Sequence, residues 1–236
     1  MKHFIFILFV LLSFSVTGQE KDTLWDYPVK PGSQEWASFT TGRQMLDACQ
    51  IPENILKTLS TKDLVKICLN YPLFFDYVAA NDERKGISFM IESFNGLNEL
   101  SKRKDGVLEL INAYNEYPVI TQVQQESSKD YYTPYKLPFI ELLLADDIFE
   151  KQLDSQKSGE LEKIVLKKYE SKLKYPQVYS LYNIKKTFLL GSVILNGDNS
   201  RAKTATEKDT IKRFIENYNN VDATLLTEIS KIISEL

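Results

Sequence analysis

The sequence predicts an all-α protein, and three observations lead to this prediction. Apolar residues recur with the 3.6-residue period of an amphipathic helix over most of the chain. No window alternates apolar and polar residues for long enough to indicate a strand. The 236 residues include nine glycines and eight prolines, few enough to favour long regular elements over loops. We expect about nine or ten helices, either stacked as helix pairs or packed as an irregular bundle.

The first 18 residues have the pattern of a secretory signal peptide. Lys2 supplies the positive charge, residues 4–16 are apolar apart from two serines, and Val16 and Gly18 are small enough for the −3 and −1 sites. The apolar run is shorter than the roughly 20 residues that span a bilayer. We therefore expect cleavage before Gln19 and a soluble protein that is exported to the periplasm or secreted, with no transmembrane segment left after cleavage.

The only histidine, His3, lies in this leader, so the mature chain should have none. Its loss excludes Ser-His-Asp and Cys-His catalysis and histidine-ligated zinc. No cysteine pair fits structural zinc and no acidic run fits an EF-hand, so we expect neither a metal nor another cofactor. Without the leader, 28 basic residues face 32 acidic ones, a net charge of −4. These charges are interspersed, which argues against nucleic acid as a partner.

The mature chain divides into an arm and a helical domain. Residues 19–32 carry three breakers and two aromatic residues and are expected to be extended, while residues 33–236 form the helical domain. The segment 119–137 is the longest stretch without a helical pattern. A loop of this length is often functional, and it also offers a point at which the domain could be subdivided.

The helices of the first half are marked by caps and breakers. Ser33 is expected to cap a helix that runs to Cys49. Ser60 and Asp63 resemble a capping box that starts a helix ending near Tyr71, before Pro72. A short helix follows, with one apolar face formed by Phe74, Tyr77 and Val78. A longer apolar stripe comes next and comprises Ile87, Met90, Ile91, Phe94 and Leu97. Within this stripe, Gly96 is either tolerated inside a helix or marks a break.

The second half continues the same period. Asp105 is expected to cap one helix and Pro138 to lie in the first turn of another. Residues 187–195 are too short to span a membrane and are interpreted as a buried core helix. The remaining apolar faces are Val107, Leu110, Ile111 and Tyr114; Leu142, Leu143, Phe149 and Leu153; Leu161, Ile164, Val165 and Tyr169; Leu181, Ile184, Phe188 and Leu195; and Val221, Leu225, Ile229, Ile232, Ile233 and Leu236.

A Tyr-Pro pair occurs four times between helices. The tyrosines, residues 27, 71, 117 and 175, are separated by 44, 46 and 58 residues, and a related Tyr218-Asn219 follows 43 residues later. Proline disfavours helical geometry in the residue before it, so each pair marks a helix end. A spacing near 45 is typical of HEAT and armadillo repeats, whereas an irregular bundle requires no such spacing.

Cys49 and Cys68 are the only cysteines. In an oxidising compartment they could form a disulfide that stabilises the fold by about 3 kcal/mol. The alternative is two buried free thiols that pack as small hydrophobic side chains. A catalytic thiol is disfavoured, because no histidine is available to activate it.

Four acids are candidate catalytic residues: Glu92, Glu141, Asp146 and Asp147. A glycosidase needs two carboxylates that flank the scissile bond, and adjacent residues on a helix point about 100° apart, so a solvated helix face explains the Asp146-Asp147 pair better. Glu92-Ser93 resembles the Glu-Ser of lytic transglycosylases, but the Gly-Leu-Met-Gln that follows it in that family is missing here.

Three tyrosines of the segment 119–137 are candidate binding residues: Tyr131, Tyr132 and Tyr135. Exposed tyrosines stack on sugar rings and fill protein interfaces. Alternatively, at least two of them hold the segment against the helical core.

One part of the chain resembles a group of uncharacterised exported bacterial proteins. The resemblance covers about a fifth of the chain, implies an exported helical protein and assigns no functional residue. It rests on Leu64, Val65, Leu69, Asn70, Tyr71, Pro72, Leu73, Asp76, Asn81, Gly86, Phe94, Asn95, Gly96, Leu97, Arg103, Lys104 and Asp105.

Three functions fit these patterns, and the first is favoured. It is an interaction module of the cell envelope that binds a protein or a glycan. The second is a small envelope hydrolase or lyase, which requires two acids converging in one pocket. The third is a lipid- or peptide-binding protein with an enclosed apolar cavity. The patterns leave the oligomeric state open.

Overall fold

The computed structural model describes residues 24–121, 133–197 and 204–236, so the predictions for the leader lie outside the described residues. Every regular element within these ranges is helical, which confirms the all-α prediction. Nine of these helices have seven or more residues. They are α1 Gln34–Ser38, α2 Gly42–Ala48, α3 Glu53–Leu56, α4 Thr61–Leu69, α5 Glu83–Ser93, α6 Asn95–Leu100, α7 Gly106–Glu116, α8 Thr133–Leu144, α9 Asp147–Glu150, α10 Ser155–Leu173, α11 Leu181–Asn196, α12 Ala205–Glu216 and α13 Ala223–Ile233, with 3₁₀ helices at Phe74–Ala79 and Tyr218–Asn220.

Helix α11 lies at the centre of the fold and packs against α8, α10, α12 and α13. Every residue from Lys186 to Leu195 is buried, as predicted for a core helix. Gly191 permits the close approach of α13, because a Cβ there would lie 2.5 Å from Cδ1 of Ile233. No helix in the described ranges, α11 included, has both the length and the hydropathy needed to cross a membrane.

A central helix that packs against four others is compatible with an all-α bundle. One hydrophobic core contains buried side chains from both sides of the segment 119–137, and it extends from Tyr27 to Ile233. The helix packing therefore does not require a stacked array, and a repeat with the Tyr-Pro spacing stays a prediction.

The first predicted helix is instead two helices, α1 and α2. Ser33 caps α1 as expected, since its Oγ accepts a hydrogen bond from the backbone N–H of Trp36 at 3.1 Å. Phe39 is extended and ends α1. Thr41 and Gln44 then form a reciprocal capping box, which is a complete helix start of its own.

Ser60 and Asp105 were also predicted to cap helices, and only Ser60 does so. Ser60 Oγ accepts from the backbone N–H of Asp63 at 3.1 Å and caps α4 as expected. Asp105 does precede α7, but its carboxylate accepts a hydrogen bond from Thr61 Oγ1 at 2.9 Å and caps nothing. The break in the apolar stripe of α5 and α6 falls at the extended residue Phe94 rather than at Gly96.

The prediction that Pro138 lies in a first turn is wrong. Helix α8 begins at Thr133, so Pro138 lies in the helix interior and residues 133–137 are helical rather than part of a loop. Every residue from 137 to 145 is buried. Because this segment has no polar face, its apolar residues do not recur with the 3.6-residue period of an amphipathic helix. The sequence pattern therefore could not show where the helix begins.

Cys49 and Cys68 are buried, and neither forms a disulfide. The structure therefore has the free-thiol alternative, in which both side chains pack in the hydrophobic core. Burial raises the pKa of the Cys49 thiol to about 12 and raises that of Cys68 further. Both residues are thus held as neutral thiols, which are poor nucleophiles.

We expect Ellman's reagent to leave both thiols of the native protein unmodified at about pH 8, because only an accessible thiolate reacts. The same protein in guanidinium chloride, without reductant, should titrate two thiols. Rapid labelling of the native protein would contradict the burial, and an absence of thiols in the denatured, unreduced protein would show a disulfide.

Candidate functional site

A cleft of about 860 Å³, here named cleft A, lies between the N-terminal arm and the core. The arm and α1 form one wall, and residues 67–76 with Lys136 form the other. Both tryptophans of the chain line this cleft. Six of its lining residues are aromatic: Trp25, Tyr27, Trp36, Tyr71, Phe74 and Phe75.

The arm packs on the core and thereby builds cleft A. The hydroxyl of Tyr27 donates a hydrogen bond to the backbone carbonyl of Ile67 at 3.0 Å, and the side chains of Tyr27 and Val29 are buried. Gly32 has a φ of 91°, in the left-handed region that glycine adopts without strain, and it turns the chain into α1. Residues 24–32 of the expected arm therefore form a wall of the cleft.

The rings of cleft A are fixed by contacts with other rings. Trp25 packs edge-on against Tyr27 with ring centroids 4.9 Å apart, and Phe75 packs edge-on against Tyr135 at 4.8 Å. Trp25, Trp36 and Phe75 are only half-buried. Rigid rings with exposed faces lose little side-chain entropy when a ligand stacks on them.

Polar groups lie beside these rings. Asn70 Oδ1 accepts a hydrogen bond from Lys136 Nζ at 2.8 Å, and Lys30 is paired with Asp26. The Asp76 carboxylate lines the cleft as well. Cleft A therefore combines apolar ring faces with donors and acceptors, the composition of a site that binds an amphipathic small molecule.

A second cleft of about 1030 Å³, cleft B, adjoins the first. Tyr71, Leu73 and Asp76 line both clefts. The other walls of cleft B are α2, the 3₁₀ helix Phe74–Ala79 and α5, from which Phe89 projects with 65% of its surface exposed. Its lining is mainly apolar.

The structure does not bring the four candidate acids together. Glu92 is exposed on α5, and Glu141 lies in the core. Asp146 and Asp147 line a hollow of about 290 Å³ together with Asp82. Asp146 and Asp82 cap α9 and α5 through their carboxylates, and Asp147 is exposed. The hollow therefore offers a hydrolase no pair of carboxylates that is free of structural hydrogen bonds.

Glu141 forms a buried ion pair with Lys172, and neither side chain has any exposed surface. Lys172 Nζ lies 2.7 Å from each carboxylate oxygen. The hydroxyls of Tyr114 and Thr187 donate to Glu141 Oε1 at 2.8 and 3.0 Å. Burial lowers the pKa of Lys172, and the carboxylate of Glu141 opposes this effect. Both charges are thus compensated within the core, as a buried ion pair requires.

A second buried pair joins Glu83 of α5 to Lys186 of α11, with Lys186 Nζ 3.0 Å from Glu83 Oε1. The hydroxyls of Tyr182 and Tyr218 donate to the same carboxylate, the latter at 3.2 Å. Burial lowers the pKa of Lys186 to about 8, against the opposing effect of Glu83. This cluster also holds elements of the two halves together.

Of the three candidate tyrosines, Tyr131 and Tyr132 lie outside the described residues. Tyr135 lies on α8 rather than in a loop, and it is half-buried against Phe75. Tyr135 thus fits the alternative in which a tyrosine packs on the core, and it supports a ring that lines cleft A.

Within the described ranges, no three His, Cys, Asp or Glu side chains are grouped so that they could bind a metal ion. The expectation that the protein needs no cofactor stays a prediction.

Cleft A was not predicted from the sequence, although its signal is visible there. Both tryptophans fall within residues 24–36, and residues 71–77 contain four aromatic side chains. The sequence alone does not connect these two concentrations, because only the fold shows that two segments about 40 residues apart face each other.

Comparisons of the chain with protein-family models, with curated proteins and with solved structures found no match. The resemblance to uncharacterised exported proteins accordingly stays a prediction, and a function has to be argued from the geometry of the clefts.

Proposed function

We propose that the protein is an exported binding protein of the cell envelope and that it holds a glycan chain in cleft A. The observation that carries this proposal is a cleft that brings both tryptophans together with polar side chains. The leader, whose pattern predicts secretion, supports the location.

A glycan is favoured over a protein because of how cleft A is composed. A sugar ring has an apolar face and a rim of hydroxyls, so it needs an aromatic face with hydrogen-bonding groups beside it. Cleft A supplies both, through Trp25 and Trp36 on one wall and Asn70 and Lys136 on the other. A protein interface would instead need a contiguous exposed apolar patch. The large exposed hydrophobic side chains of the described residues are spread over five different helices and the arm.

The Trp36→Ala variant tests this function. We expect it to weaken the binding of a soluble amino-sugar hexamer by tenfold or more, about 1.4 kcal/mol, because one stacking face is lost. Hexamers of glucosamine and of N-acetylglucosamine are the probes, and calorimetry measures the affinity. Since both tryptophans line the cleft, binding to the unaltered protein should also change its tryptophan emission.

Tyr175→Ala is the matched control, because Tyr175 is a half-buried aromatic residue that lines neither cleft. Its affinity for the hexamers should be that of the unaltered protein. The proposal fails if neither hexamer binds, or if the Trp25→Ala and Trp36→Ala variants bind the hexamers as tightly as the unaltered protein does.

A further inference from the structure

Clefts A and B adjoin each other and share three lining residues. Tyr71, Leu73 and Asp76 line both clefts, so a chain that leaves the tryptophans of cleft A crosses these residues before it reaches Phe89. A chain molecule therefore fits the surface better than a single sugar ring does. The group that it meets at the crossing is the carboxylate of Asp76.

The Asp76 carboxylate is uncommitted. Asp76 lies in the 3₁₀ helix Phe74–Ala79, and its backbone N–H donates to the carbonyl of Leu73 at 3.0 Å. Its side chain is exposed, and it makes no hydrogen bond or ion pair with any residue that the structure describes. The other two acids of the clefts are engaged, Asp26 with Lys30 and Asp82 as the cap of α5.

The cations that line the clefts do not compensate Asp76. Arg43 pairs with Asp47 at 2.9 Å, Lys30 with Asp26, and Lys136 donates to Asn70. Lys85 lines cleft B and makes no ion pair with Asp76. Neighbouring side chains partly desolvate the Asp76 carboxyl and raise its pKa, and no cation lowers it. An added positive charge would therefore be stabilised at this position.

An uncompensated carboxylate in a cleft lined by aromatic rings has the chemistry of an ammonium site. The carboxylate accepts a charge-assisted hydrogen bond, and nearby ring faces attract the same cation. Tyr71 supplies a ring that lines both clefts, and Phe75 lines cleft A beside Asp76. A neutral sugar would leave the carboxylate partly desolvated and without a counter-charge.

We propose that Asp76 binds an ammonium group of the glycan, so that the ligand is an amino-sugar chain with free, de-N-acetylated amines that crosses from cleft A into cleft B. This inference rests on the proposed function and narrows it to a class of ligand.

The test compares the glucosamine and N-acetylglucosamine hexamers at about pH 6, where the free amines are charged. The unaltered protein should bind the glucosamine hexamer about tenfold more tightly, the effect expected of one charge-assisted hydrogen bond. Asp76→Asn should abolish this preference by weakening the binding of the glucosamine hexamer. Asp147→Asn, which removes an exposed acid outside both clefts, should change neither affinity.

The outcomes separate this inference from the function on which it rests. If the two hexamers bind with equal affinity and Trp36→Ala still weakens their binding, the ammonium site is overturned and the glycan cleft is supported. If neither hexamer binds, the glycan cleft itself is overturned. Binding of a lysine peptide that depends on Asp76, without binding of either hexamer, would indicate a basic peptide and would also overturn the proposal.

Discussion

Replacing Lys172 with methionine is expected to lower the free energy of unfolding by about 3–5 kcal/mol, the largest effect of any single change considered. Methionine fills a similar volume but leaves the fully buried carboxylate of Glu141 without its cation. The hydroxyls of Tyr114 and Thr187 stay as donors to that carboxylate, and they cannot replace a full positive charge. Urea denaturation followed by circular dichroism measures the change.

Two further variants test the electrostatic reason. In the double variant Lys172→Met with Glu141→Gln, the charge is gone while an amide oxygen can still accept from Tyr114 and Thr187, so most of the loss should be recovered. Lys57→Met breaks a pair with Glu53 that is 71% and 79% exposed, and it should cost less than about 1 kcal/mol. A double variant as unstable as Lys172→Met would show that volume, not charge, is the cause.

Replacing Gly106 with alanine should cost about 1–3 kcal/mol. A Cβ at this position would lie 2.2 Å from the backbone carbonyl oxygen of Leu100, which cannot move without shifting the chain between α6 and α7. Gly106 is also buried, so the added methyl group cannot turn into solvent. Thermal and urea unfolding of the variant provide the measurement.

Gly159→Ala is the matched control for this substitution. Gly159 lies within α10, and a Cβ there would have no atom within 4 Å. Alanine at this site should stabilise the protein by about 0.5–1 kcal/mol, because glycine loses more backbone entropy in a helix. Equal effects of the two substitutions would contradict the close approach at Gly106.

The parts of the fold that the sequence predicted are those that a few neighbouring residues determine. Ser33 and Ser60 cap helices because their hydroxyls reach a backbone N–H three residues later, a contact that needs no tertiary structure. The core position of residues 187–195 follows from their largely apolar composition. The start of α8 was not predicted, because residues 137–144 of that helix are buried on all sides. The break at Phe94 was not predicted either, because tertiary packing determines it.

The polar contacts of the core could not be predicted in the same way. Lys172 and Glu141 are 31 residues apart, and a lysine on a helix usually indicates a solvated face. One signal was available, because Glu141 interrupts an apolar run of α8 from Phe139 to Leu144. An acid in such a run indicates a buried charge that needs a partner, which is a better interpretation than the catalytic role first considered for it.

The two buried ion pairs also affect how the molecule unfolds. Glu83 belongs to α5, before the segment 119–137, whereas its partner Lys186 belongs to α11, and Thr187 next to it contacts Glu141. Pulling α11 away would leave the carboxylate of Glu83 without its cation and would take one hydroxyl donor from that of Glu141, so local opening near the middle of the chain is strongly penalised. The molecule should therefore melt as a single cooperative unit, and neither half is expected to persist as an autonomous folding fragment.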